Sequence, residues 1–99
     1  MTTFEKVLEV FSNYLAEDDD YEIILTRHGY TILCWDKHAK GWDSSEYCDT
    51  PEKMAELLSN DYATFLEIKI GGGARELTKE ERNRIEAKRK KMLKLCEIK

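Results

Sequence analysis

Phe4, Val7, Leu8, Phe11 and Leu15 stand at i, i+3, i+4, i+7 and i+11 and form a single apolar stripe at 3.6 residues per turn. The spacing predicts an amphipathic helix over 2–16, opened by Thr2 and Glu5 at the S/T-x-x-E capping-box distance. Glu17-Asp18-Asp19-Asp20 follows. Four carboxylates sit badly at the negative end of a helix dipole, so this run reads as the loop that ends the helix.

The period then changes. Residues 21–27 (YEIILTR) and 30–37 (YTILCWDK) are rich in β-branched and aromatic residues and predict a hairpin over 21–37, with His28-Gly29 as its turn. That turn sets Arg27 opposite Tyr30. Leu25 would then pair with Ile32 and Ile23 with Cys34 on one face, and Ile24 with Leu33 and Glu22 with Trp35 on the other. Both faces are therefore apolar, whereas a sheet with one wet face alternates cleanly. Helices covering both faces are the first expectation, and a face left for a partner to cover is the second. Residues 42–48 (WDSSEYC) are more polar and suit a third strand at a sheet edge.

Asp49 or Thr50 followed by Pro51 marks a helix start. Met54, Leu57, Leu58, Tyr62, Phe65, Leu66 and Ile68 share one arc of a helix running to about residue 70. Leu66, Ile68 and Ile70 alternate with Glu67 and Lys69, so a strand at 65–70 competes, but the helical stripe accounts for more positions. Gly71-Gly72-Gly73 closes the segment as a joint. Thr78 with Glu81 is a second capping box, opening a helix at about 79–97 with a thin stripe of Ile85, Met92 and Cys96. The expected fold is α+β: a small antiparallel three-stranded sheet with helices packed on it, in the order α-β-β-β-α-α.

Charge divides the chain more sharply than hydropathy does. Residues 1–73 hold 6 Lys/Arg and 15 Asp/Glu, and residues 74–99 hold 10 Lys/Arg and 5 Asp/Glu. An acidic body (1–73) is thus followed by a basic C-terminal helix (74–99), expected to pack on the same domain, since 99 residues leave no room for two ordinary cores. No apolar run approaches the ~18 residues that would span a membrane. Glu5, Lys6 and Glu9 interrupt the N-terminal apolar positions, so no export signal is read there. Cys34, Cys48 and Cys96 are odd in number and widely spaced, which predicts reduced thiols and a cytoplasmic protein. Cys34, His38, Cys48 and His28 lack the close pairs of a zinc site, and Asp18-Asp19-Asp20 lacks the glycine and distal glutamate of a calcium loop. No metal, cofactor or catalytic residue is expected, and Cys34 with His38, four apart on a strand, would sit ~13 Å apart.

What remains is surface. Asp18, Asp19, Asp20 and Glu22 make an acidic patch, and Trp35, Trp42 and Tyr47 are residue types that anchor interfaces. Together they predict a small non-enzymatic regulatory protein that docks on another protein, one with a basic groove. Its size and charge have the general look of small intracellular proteins carried by phages and mobile elements, and an inhibitor of a nucleic-acid enzyme such as a defence nuclease fits that reading. The alternative is nucleic-acid binding through Arg84, Lys88 and Lys91, which lie on one side of the last helix. A third reading is a homodimer completing a core across a two-fold axis.

Overall fold

A computed structural model describes residues 2–97. The order is α1 (Phe4–Val10), α2 (Ser12–Glu17), β1 (Tyr21–Thr26), β2 (Gly29–Asp36), β3 (Gly41–Cys48), α3 (Pro51–Gly71) and α4 (Lys79–Cys96). The strands form one antiparallel sheet in the order β1-β2-β3. The fold is α+β, as the periodicity predicts.

The N-terminal helix differs from expectation in two details. Thr3, not Thr2, is its cap: the Thr3 hydroxyl accepts from the Lys6 amide at 3.1 Å. The helix also bends at Phe11 (φ −93°, ψ 6°), although Phe11 N–H still donates to Val7 and Leu15 N–H to Phe11. Beside the bend, the Ser12 hydroxyl donates to the Glu9 carbonyl at 2.8 Å, a local bond of the kind that bends helices.

The hairpin register slips by two residues from the expected one. Thr26 faces Gly29, Ile24 faces Thr31, Glu22 faces Leu33, and Ile23 faces Ile32, so the turn is Arg27-His28. Gly29 has φ +129°, and neither turn residue is left-handed. The glycine thus serves just after the turn, where a positive φ is needed to rejoin the ladder. Thr26 holds it there: its hydroxyl donates to the Gly29 carbonyl at 2.9 Å and accepts from the His28 amide at 3.1 Å. Because the slip is two, each side chain keeps its predicted face.

All helices pack on one face. Ile32 and Cys48 join Val7, Phe11, Tyr14, Met54, Ala55, Leu58 and Cys96 in the core, with Tyr21, Ile23 and Tyr30 packed against it. Ile24, Leu33, Trp35, Trp42 and Tyr47 point the other way and take no part in that core. Coverage of both faces, the first expectation, is not what the chain builds. The molecule measures 41 × 40 × 18 Å, thin in one direction because no helix lies beyond the open face among the described residues.

Residues 65–70 are helical. Thr50 caps α3 by accepting from Lys53 N–H at 3.1 Å, Pro51 occupies its first turn, and left-handed Gly72 (φ +63°) ends it by donating to the Ile68 carbonyl. The capping box predicted for α4 is present in both directions, Glu81 N–H to the Thr78 hydroxyl (3.1 Å) and Thr78 N–H to Glu81 Oε1 (2.9 Å). Buried Ile85 and Cys96 anchor α4, with Met92 and Leu93 leaning on the core. Its thin stripe is enough to dock it on the body.

Candidate interaction surface

Strand pairing arranges the open face in cross-strand rows. Glu22, Leu33 and Ser45 form one row; Ile24, Thr31 and Tyr47 form the next. At the other end the Trp35 amide donates to the Asp20 carbonyl at 2.7 Å and Trp35 faces Trp42, so Asp20, Trp35 and Trp42 make a third. A bulge between Cys34 and Trp35 makes this row possible. Cys34 faces Ser44 but Trp35 faces Trp42, which leaves Asp43 as the extra residue on β3. Without it the two tryptophans would not be opposite one another.

The two indoles meet edge to face, with centroids 5.0 Å apart and planes at 79°. Trp35 on the central strand is half-buried, while Trp42 is 51% exposed, Tyr47 46% and Ile24 38%. The Tyr47 hydroxyl donates to the His28 carbonyl at 2.7 Å and its ring lies over Gly29. Tyr47 is thereby held against the sheet at both its hydroxyl and its ring. Rigid, exposed aromatic side chains are good anchors because little rotamer entropy is lost on contact.

Carboxylates surround these rings. Glu22 and Asp43 are exposed, and Asp19 and Asp20 flank the Lys37 ammonium at 3.8 and 3.4 Å. Both pairs are long and their ammonium is exposed, so they neutralise the rim only weakly, although hydrogen bonding to Asp20 pushes the Lys37 ammonium up from its ordinary range. Asp18 behaves differently from its neighbours. It is buried, its Oδ2 accepts from the Tyr14 hydroxyl at 2.8 Å, and its Oδ1 accepts from Asp20 N–H at 3.3 Å. Of the seven residues named from sequence, the structure gathers Asp20, Glu22, Trp35, Trp42 and Tyr47 on one face, leaves Asp19 at its rim, and turns Asp18 inward.

Two members of this region were not singled out from sequence. Leu33 fills the middle of the face, and its signal is the apolar residue on each side of the hairpin. Asp61 lines a groove at the end of the sheet with Asp18, Tyr21, Trp35 and Phe65. Its signal is its position in the α3 stripe, three residues after Leu58 and four before Phe65. Burial, then the nearby Asp18 and Glu46 charges, push its carboxyl up to about 6.

The remaining candidates are dispersed. His28 and His38 occupy turns at opposite ends of β2, the latter donating its amide to Asp36 Oδ1 at 2.9 Å. Cys34 is half-buried, Cys48 and Cys96 are buried, and burial is the main cause that pushes each thiol up and keeps it protonated. Arg84, Lys88 and Lys91 are all exposed on α4, and Arg84 and Lys88 border a cleft with Leu66, Ile70 and Glu81. Arg89 is instead held by Glu86 through two bonds, at 2.7 and 3.0 Å. Among the described residues no helix is long and apolar enough to cross a membrane. No family model, no curated protein and no solved structure matches the chain.

Proposed function

We propose that this protein is a non-catalytic docking protein, and that the open face of its sheet lies against a basic surface of a larger protein. One observation carries the reading: the helices all lie on one side, and the other side presents the fixed rings of Trp35, Trp42 and Tyr47 with Ile24 and Leu33, rimmed by Asp20, Glu22 and Asp43. Aromatic rings stack under guanidinium and ammonium groups, and the carboxylates would steer and register them. A basic groove that otherwise holds phosphate is the natural complement, so an inhibitor of a nucleic-acid enzyme, such as a defence nuclease met by a phage or mobile element, is the function this face fits best.

The test is binding to a panel of purified basic nucleic-acid enzymes across a salt series. Expected is an affinity that falls steeply with salt, is lost in Trp42→Ala, and weakens in Glu22→Lys. Binding indifferent to salt and to both substitutions would end the proposal.

A second reading is favoured by the exposure of Arg84, Lys88 and Lys91 along one side of α4. It makes the protein a phosphate-backbone binder. A gel shift at low salt, where such contacts are strongest, should then appear with the full chain and weaken in Lys88→Glu. No shift at low salt removes this reading.

A further inference from the structure

We infer that β1 is a self-pairing edge, and that two copies of this chain join through it, antiparallel, into one six-stranded sheet. The two edges of the sheet are built differently. β3 carries Asp43 and Glu46, and its pairing is broken by the bulge, which are the usual guards against strand addition. β1 reads Tyr-Glu-Ile-Ile-Leu-Thr, with one carboxylate (Glu22) and without proline, lysine or bulge, and Leu25 is 68% exposed on it.

The backbone groups on that edge are unused. The bond from Trp35 N–H to the Asp20 carbonyl shows that even-numbered residues of β1 address β2. By the alternation of antiparallel pairing, Tyr21, Ile23 and Leu25 address the outside. Tyr21 N–H reaches the Asp18 carbonyl at 3.4 Å, and among the described residues the amides and carbonyls of Ile23 and Leu25 have no partner.

The side-chain pattern is self-complementary about Ile23. A two-fold axis there sets Ile23 against Ile23 of the second copy, and Tyr21 against Leu25 of the second copy, on the helix side. On the open side it sets Glu22 against Ile24 of the second copy, so like charges never meet. The pairing would cover exposed Leu25 with a tyrosine ring and merge the two open faces into one. It rests on the edge alone, so it stands or falls separately from the docking proposal above.

The experiment is light scattering of the full chain over a concentration series up to about 1 mM, with amide hydrogen exchange at both ends of the series. Expected for the native sequence is a mass rising from 11.6 kDa towards twice that value. Exchange at Ile23 and Leu25 should slow as the mass rises. Two substitutions at half-exposed Ile24 fix the register without touching the core. Ile24→Glu sets a carboxylate against Glu22 of the second copy and should weaken association about tenfold or more. Ile24→Lys sets an ammonium there and should preserve or tighten it. A single-chain mass throughout, equal weakening by both substitutions, or a dimer in which Ile23 and Leu25 exchange at the monomer rate would each overturn the inference.

Discussion

The Tyr14 hydroxyl donates to Asp18 Oδ2 at 2.8 Å, inside the molecule, while the Tyr14 ring packs edge-on against Tyr62 and Phe65. This bond makes Asp18 the hinge between α2 and β1: one carboxylate oxygen holds the helix side, and the other accepts from Asp20 N–H to shape the turn. Burial and the adjacent Asp18 both push the Tyr14 hydroxyl above its ordinary range, which keeps it a donor. Asp18→Ala leaves that donor buried and unpaired, and should destabilise the fold by about 1–3 kcal/mol in urea unfolding. Asp19→Ala, one residue on and exposed, should stay within about 0.5 kcal/mol. Equal effects of the two would contradict the division of labour in the acidic run.

Asp61 makes stability fall with pH. Its carboxyl is raised from 3.8 to about 6, chiefly by burial and then by Asp18 and Glu46. A group raised on folding binds its proton more tightly in the folded state. Its favourable contribution is therefore complete below the unfolded value and is lost as pH rises through about 6. Asp61→Asn removes this dependence. The substitution should raise the melting temperature at about pH 8 and have no such benefit at about pH 3. A melting-temperature difference independent of pH would show that the carboxylate is solvated.

Gly29 is the one hairpin residue whose side chain cannot be restored. An added Cβ would lie 3.2 Å from Tyr47 Cε1, and φ is +129°. Gly29→Ala should destabilise by about 1–3 kcal/mol and displace the Tyr47 ring, with loss of its bond to the His28 carbonyl. The matching measurement is the chemical shift of the Tyr47 ring protons alongside the unfolding midpoint. An unmoved ring would mean that the close approach does not set its position.

Much of this architecture is legible in the residues. The 3.6-residue stripe of α3, its Thr50-Pro51 start and its glycine stop agree with one another, and that agreement outweighs the short alternation at 65–70. The Thr78 capping box is local, and it is present as spaced. The hairpin register was less legible, because His28-Gly29 fits a tight turn by composition while the threonine at 26 decides the geometry through its own side-chain bonds. Face coverage was legible only as two alternatives, both faces covered or one left open. Periodicity says which residues share a side of the sheet, but the side that the four helices choose depends on contacts distant in sequence, such as Cys96 against the N-terminal helix. The same holds for Asp18, which differs from Asp19 only in what lies beneath it.

The electrostatic character of the open face can be measured with the protein's own fluorescence. Trp42 is half exposed, and Trp35 lies partly shielded against it on the central strand. Asp19, Asp20, Glu22, Asp36 and Asp43 lie near this end of the sheet, against Lys37 and Lys40. A surplus of fixed carboxylates concentrates cations and repels anions within a Debye length, about 10 Å at 0.1 M salt. Measured relative to its quenching of free N-acetyltryptophanamide, caesium should therefore be more effective on the exposed indole than iodide at equal ionic strength. Uncharged acrylamide reports the steric access that both ions share. Asp43→Asn with Glu22→Gln should bring the two ions closer together and leave the acrylamide value unchanged. Raising the salt should do the same, because screening acts on the field and not on the fold. If iodide, on that same free-indole scale, quenches as well as caesium at low salt, the carboxylates do not dominate the field over the aromatic face, and the case for a basic partner loses its physical ground.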